Sequence, residues 1–131
     1  MPTQISPMLA VTDGAAAIRF YQAAFGATLL WSLDDGQVAG LEVDGAEFFL
    51  AHESPGSGNR APAGFTTVRI ELFVDDPLAV HTKAVAAGAV NHSPVVEHEH
   101  ATVGPRPIKR MLQGAVVDPF GHKWLIGKFL E

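Results

Sequence analysis

Apolar and polar positions in the first half of the chain switch between strand spacing and helix spacing. Residues 5–11 form a short apolar run, and residues 14–25 carry Ile18, Tyr21 and Phe25 three and four positions apart. That spacing places the three side chains on one face of a helix. Three apolar segments then follow, separated by turns rich in Asp and Gly: residues 28–33, 38–43 and 46–51. The pattern therefore predicts a strand, a helix and three strands, in that order.

The same order of elements begins again in the second half. Residues 68–74 alternate as a strand, residues 78–87 are helical, and residues 90–97 start the next strand. Asp13 and Asp76 both precede a helix as N-caps, and the offset between the two units is about 62 residues. We expect a first module at residues 1–53 and a second module at residues 66–131. A linker rich in Ser, Gly and Pro, residues 54–65, connects them, and all three parts form one structural domain.

The last hairpin carries the most specific motif of the chain. Pro119 and Gly121 suit a tight turn that begins at Asp118, and a Trp-containing strand follows this turn. This turn resembles the last hairpin of the vicinal oxygen chelate superfamily, which includes glyoxalases, bleomycin-resistance proteins and extradiol dioxygenases. Residues 17–26 and 73–89 carry the rest of the resemblance, which extends over nearly the whole chain.

The resemblance implies an α+β fold. It consists of two βαβββ modules whose curved, mostly antiparallel sheets surround a concave cleft, with the helices on the convex side. It also implies a homodimer with clefts between the subunits. The sheet faces that lack helices would line these clefts, since an antiparallel sheet can leave one face free.

Composition narrows the functional classes. The chain has 131 residues, 47% of them hydrophobic, which is enough for a core. A net charge of −5 argues against nucleic-acid binding. Cysteine is absent, which excludes disulfides, thiolate metal sites and cysteine nucleophiles. No apolar run is long enough for a membrane span, so we expect a cytoplasmic protein.

Enzymes of the superfamily hold a divalent metal with four side chains from four strands. The local motifs place Ser6, Phe49, Arg69 and Leu125 at those positions. A shift of one residue would instead place aliphatic side chains there: Ile5, Leu50, Ile70 and Ile126. Neither set suits such a metal, because the usual ligands are His, Gln and Glu. We therefore expect neither a metal, nor a cofactor, nor a catalytic residue.

The chain contains six histidines, which are the usual candidates for metal ligands. His98 and His100 lie on one face of a predicted strand and could chelate a metal, although an exposed polar hairpin end is the preferred explanation. His52 follows a predicted strand and could form a hydrogen-bonding wall of a cavity. The others have the positions of surface or structural histidines: His81, His92 and His122.

Arg69 and Glu71 are the polar candidates for a ligand site. Alternation along the strand puts both on one face, opposite the apolar face formed by residues 68, 70, 72 and 74. Such charges are either an exposed ion pair or a polar anchor in an apolar cleft. The remaining candidates for ligand binding are Ser6, Met8, Trp31, Phe49, His52, Phe73, Met111 and Leu125. Trp124 and Ile126 point to the other side and are assigned to the core. The basic loop at residues 104–111 is either solvated or a lid.

These features favour a metal-free small-molecule-binding protein that sequesters an antibiotic or another aromatic or acidic metabolite. One alternative is a metal-dependent lyase, isomerase or dioxygenase, or a metal-free catalyst that uses Glu71. A second alternative is a structural or regulatory partner module.

Overall fold

A computed structural model describes residues 1–99 and 110–130 of the chain. The first module contains β1 (Met8–Val11), α1 (Gly14–Phe25), β2 (Thr28–Leu33), β3 (Val38–Val43) and β4 (Ala46–His52). The second contains β5 (Ile70–Phe73), α2 (Pro77–Ala86), β6 (Val90–Glu99), β7 (Arg110–Val117) and β8 (Lys123–Phe129). The predicted order of elements is confirmed. Neither helix has the length and hydropathy that a membrane span requires in the described part of the chain.

Helix α1 has the predicted bounds, and α2 begins and ends one residue before the predicted residues 78–87. The Asp13 carboxylate accepts a hydrogen bond from the Ala16 amide at 3.0 Å, and Asp76 caps α2 in the same way. These side chains satisfy amides that lack partners inside the helix. Gly26 ends α1 with φ of 66°, a conformation that costs glycine little.

Each module forms a four-stranded mixed sheet, with strand orders β1-β4-β3-β2 and β5-β8-β7-β6. The pairs β1–β4 and β5–β8 are parallel, and the other pairs are antiparallel. This is the α+β fold of two mostly antiparallel sheets that the sequence predicts.

One core joins the two modules. Tyr21 of α1 packs edge-on against Phe48 of β4 and tilts against Trp124 of β8, with ring centroids 5.3 and 5.5 Å apart. Phe48 and Trp124 also contact each other. Helices α1 and α2 pack together, and each also packs on its own sheet. Each sheet therefore turns one face toward this shared core and its other face away from it.

The ends of some strands differ from the prediction. Ser6 lies before β1, and Arg69 lies before β5. Ile70 packs against the core, but Val68, predicted to lie on the same apolar face, is exposed because the strand begins after it. His100 and residues 104–109 of the basic loop lie outside the described residues.

Candidate functional site

The face of the first sheet that points away from the core carries an aromatic platform, here called face 1. Met8, Phe49, Gly40 and Trp31 lie side by side across β1, β4, β3 and β2. The rings of Trp31 and Phe49 are 5.7 Å apart, and Trp31 is 40% exposed. A Cβ at Gly40 would lie 2.5 Å from the indole nitrogen, so Gly40 allows the indole to lie flat on the sheet. Face 1 thus presents an apolar surface that is partly exposed to solvent.

The outward face of the second sheet, here called face 2, carries a polar cluster. Arg69 and Glu71 form an ion pair at 3.9 Å, with side chains 56% and 43% exposed. Gln113 of β7 donates from Nε2 to the Glu71 carboxylate at 3.2 Å. Sequence reasoning missed Gln113, although β7 alternation would have placed it on this face. Glu71 therefore accepts a hydrogen bond from Gln113 and forms an ion pair with Arg69 on the open sheet.

Apolar side chains surround this cluster on face 2. Phe73 stacks on Phe129 with ring centroids 4.7 Å apart. Leu125 lies beside Glu71, and Met111 lies beside Phe129, and both are buried. The alternation of β8 puts Trp124 and Ile126 in the core, as the sequence indicates.

Of the two remaining candidates, Ser6 lies at the margin of face 1, whereas His52 alternates with Phe48 and Leu50 along β4 and lies on the side of the sheet opposite face 1. Ser6 and Phe49 border a shallow cavity together with the first residues of the chain. His52 is exposed at the end of β4, and its backbone amide donates to the carbonyl of Gln37.

The candidates therefore form two groups in one chain. Met8, Trp31 and Phe49 are on face 1, whereas Arg69 and Glu71 are on face 2. Because the opposite face of each sheet contacts the shared core, the two groups point away from each other.

The side chains at the four superfamily ligand positions do not fit a divalent metal. Phe49 is an aromatic side chain that packs against Trp31, Leu125 is a buried aliphatic side chain, and Arg69 is a cation. Ser6 offers only a neutral hydroxyl, whereas such metals prefer imidazole and carboxylate ligands. Within residues 1–99 and 110–130, no three His, Asp or Glu side chains converge as a metal site.

Two histidine side chains contact backbone carbonyl groups. His81 of α2 is buried and contacts the carbonyl oxygens of Ser93 and Ala115. His98 contacts the Gln113 carbonyl at 3.1 Å. His81 thus ties its helix to β6 and β7.

Asp118 connects the closing turn to both modules. It is 3% exposed, and its Oδ2 accepts hydrogen bonds from the Tyr21 hydroxyl at 2.6 Å and the Trp124 indole at 2.9 Å. Its Oδ1 accepts from the amides of Phe120 and His122. Burial of a carboxylate is tolerated when its lone pairs are satisfied in this way. The turn that begins at Asp118 is therefore a structural junction between the two modules.

The protonation of Tyr21 makes the stability of this junction depend on pH in the alkaline range. Burial, followed by the nearby Asp118 charge, raises the pKa of Tyr21 well above its ordinary value of 10.0. The neutral Tyr21 phenol makes its full contribution to the stability of the folded state below about pH 10. This contribution declines at higher pH, because Tyr21 loses its proton in the unfolded state first. We expect the free energy of unfolding to fall by up to about 1.4 kcal/mol per pH unit in that range.

Urea unfolding at pH values from about 9 to 11 measures this effect. Tyr21→Phe is the matched control, because it keeps the ring and removes the titrating group. Parallel curves for the wild type and Tyr21→Phe would contradict the expected role of Tyr21.

Comparisons with known proteins agree with this architecture. Residues 4–126 match the model of the Glyoxalase/Bleomycin resistance protein/Dioxygenase superfamily. Uncharacterized protein Mb0911c of Mycobacterium bovis is 36% identical over 133 residues, covering 95% of this chain and 82% of that protein. The fold is similar to that of TioX from Micromonospora sp. ML1, with 22% identity, a TM-score of 0.71 and coverage of 98% and 100% of the two chains. It is also similar to a glyoxalase/bleomycin resistance protein/dioxygenase from Nocardioides, with 20% identity, a TM-score of 0.67 and coverage of 100% and 85%.

Proposed function

Because the chain belongs to the glyoxalase/bleomycin resistance protein/dioxygenase superfamily, we propose that it binds a small molecule without a metal and sequesters it. The observation that carries this proposal is the aromatic platform on a sheet face, in which Trp31 is 40% exposed and packs against the half-buried Phe49. A partly exposed pair of aromatic rings offers apolar surface against which an aromatic ligand can pack. The ligand class is an aromatic metabolite or antibiotic with an acidic or carbonyl group.

Arg69 is the proposed polar anchor for that group. Its guanidinium has five N–H donors, and the contact with Glu71 at 3.9 Å is too long for a strong hydrogen bond. Donors therefore remain for a carboxylate or carbonyl of the ligand. Gln113 supports this geometry by holding Glu71 from the other side.

A homodimer would bring the two halves of this site together. Faces 1 and 2 point away from each other in one chain, and both expose large apolar side chains, including Met8, Leu33 and Phe73. A two-fold axis can place face 1 of one copy opposite face 2 of the other, and the same contact is then repeated at the second site. Exposed apolar surface of this kind is typical of protein interfaces. We propose that the ligand lies between the two faces.

A metal-dependent lyase, isomerase or dioxygenase is less well supported. Such an enzyme needs at least three ligands around an open metal position. Phe49, Arg69 and Leu125 would have to supply them, and none of the three side chains is suitable.

The fluorescent probe 1-anilinonaphthalene-8-sulfonate tests the anchor, because it is flat, aromatic and anionic. We expect Arg69→Ala to weaken its binding about three- to tenfold, since a partly exposed charged hydrogen bond contributes modestly. Equilibrium titration of the fluorescence gives the Kd. Arg19→Ala, on the surface of α1, is the matched control that removes the same charge elsewhere.

Two results would contradict the proposed function. One is an unchanged Kd in Arg69→Ala with a wild-type melting temperature. The other is about one equivalent of bound transition metal per chain, with probe binding that is lost on chelation.

A further inference from the structure

The polar cluster on face 2 leaves one oxygen of Glu71 available. A carboxylate only accepts hydrogen bonds, so Gln113 has to turn its Nε2 toward Glu71, and this bond of 3.2 Å ends on Oε1. Arg69 approaches the other oxygen, Oε2, only to 3.9 Å, which is beyond hydrogen-bond distance. Among residues 1–99 and 110–130, no other hydrogen bond to the Glu71 carboxylate is found. Oε2 is therefore an acceptor without a donor, next to a guanidinium that carries five donors.

Gln113 fixes the Glu71 carboxylate from the far side of a strand. Strand β8 lies between β5 and β7, so the side chains of Gln113 and Glu71 meet above β8. Gly127 of β8 is the register partner of Gln113 and has no side chain that could block this contact. A Cβ at Gly127 would lie 3.3 Å from the Gln113 Cβ, so Gln113 would have to shift. Gly127 therefore leaves the space in which Gln113 reaches Glu71.

The gap between Arg69 and Glu71 fits one planar group that both accepts and donates. A primary carboxamide or a lactam has a carbonyl oxygen and an N–H group side by side. The oxygen can accept from the Arg69 guanidinium while the N–H donates to Oε2 of Glu71, in two nearly parallel bonds of about 2.9 Å. Such a pair of bonds needs protein atoms a few ångströms apart, and the two atoms here are 3.9 Å apart. A carboxylate has no donor for Glu71 and carries the same charge, so it can use only Arg69.

The surroundings of this pair favour a ligand with an aromatic body. Phe73 follows Glu71 by two positions on the same face, is half exposed, and stacks on Phe129. The Arg69 and Glu71 side chains are also about half exposed, so their hydrogen bonds to a ligand compete with water. Each bond therefore contributes modestly, and selection depends on whether the ligand satisfies both side chains.

We propose that the pair of Arg69 and Glu71 selects aromatic carboxamides and lactams over ligands that only accept hydrogen bonds. Arg69 donates to the ligand carbonyl, and Glu71 accepts from the ligand N–H. Gln113 is a positioning residue, which holds Oε1 of Glu71 and leaves Oε2 for the ligand. This inference rests on the proposed function, because Arg69 is the anchor of the same site. It narrows the ligand group from an acid or a carbonyl to a carbonyl with an adjacent N–H.

Two-dimensional NMR of ¹⁵N-labelled protein, titrated with three matched naphthalene probes, tests this selection. The probe 2-naphthamide has the acceptor and the donor, methyl 2-naphthoate has only acceptors, and 2-naphthoate is the acid. Saturable shifts of the backbone amide signals of residues 71 and 113 give each Kd. We expect the amide to bind about three- to tenfold more tightly than the ester, since its extra hydrogen bond reaches a partly exposed charged group.

Two variants separate the roles of Glu71 and Gln113. Glu71→Ala should bring the Kd values of the amide and the ester together, and it should strengthen naphthoate binding because a nearby negative charge is removed. Gln113→Leu should reduce the preference for the amide without strengthening naphthoate binding, because Glu71 keeps its charge. Glu97→Ala is the matched control, because Glu97 pairs with Arg110 and lies on the other side of the second sheet. It should leave all three Kd values unchanged.

Two outcomes would overturn the selection and leave the proposed function intact, provided that Arg69→Ala weakens binding of the probes. One is an equal Kd for the amide and the ester in the wild type. The other is a preference for the amide that persists in a folded Glu71→Ala variant. If none of the three probes binds, or if Arg69→Ala weakens none of them, the proposed function fails together with this inference.

Discussion

Asp118→Ala is expected to destabilise the protein by about 3–5 kcal/mol. The Asp118 carboxylate accepts four hydrogen bonds, and two of them come from the buried Tyr21 hydroxyl and Trp124 indole. Removal of the carboxylate leaves these donors without an acceptor, and an unsatisfied buried donor costs about 1–3 kcal/mol. It also removes the two bonds that fix the turn at Phe120 and His122.

Urea denaturation at neutral pH measures this loss as a shift of the midpoint. Asp75→Ala is the matched control, because Asp75 is exposed and precedes α2. Asp118→Asn should cost less than Asp118→Ala, since it keeps an acceptor and the side-chain volume. If Asp118→Ala lowers the free energy of unfolding by less than about 1 kcal/mol, Asp118 does not hold the junction together.

Gly14→Ala is the second substitution with a large expected effect. A Cβ at Gly14 would lie 1.7 Å from the carbonyl oxygen of Gly36 and 2.6 Å from its carbonyl carbon. Both atoms are backbone, and Gly36 has φ of 94°, so the turn before β3 cannot relax by changing a rotamer. We expect a loss of about 3 kcal/mol or more, at the upper end of overpacking effects.

Thermal unfolding of Gly14→Ala measures this loss. Gly56→Ala is the control, since a Cβ there meets no atom within 4 Å. The control should melt close to the wild type. A Gly14→Ala variant that melts together with Gly56→Ala would show that α1 is not packed against the Gly36 turn.

The sequence predicts most of the fold because its signals are local. N-cap aspartates, a glycine in the left-handed region and turns at Asp44 and Asp118 mark the element ends within a few residues. The two helices and the strands of the first module fall close to their predicted bounds for this reason. The predicted strand before α2 is too long, since nothing local shows that Val68 lacks a sheet partner.

The site is harder to predict because its contacts join distant parts of the chain. Asp118 and Tyr21 are 97 positions apart, and the turn motif alone does not reveal a bond between them. The tryptophan six residues after Asp118 is the one local signal for a buried acceptor. The sequence does not predict the hydrogen bond between Gln113 and Glu71, because the two residues are 42 positions apart. The candidates lie on two different outward faces because both sheets pack on one shared core. The spacing of apolar residues along the chain does not show that the core is shared.

Complementation between two defective variants tests most directly whether the binding site is shared by two copies. Trp31→Ala damages face 1, and Arg69→Ala damages face 2, so each homodimer has two damaged sites. A heterodimer of the two variants, purified through different tags, contains one doubly damaged site and one intact site if the faces meet between subunits. We predict that it binds one equivalent of 1-anilinonaphthalene-8-sulfonate with the wild-type Kd, and that both homodimers bind it weakly. A heterodimer that binds no better than the homodimers, or chains that remain monomeric at micromolar concentration, would contradict a shared site.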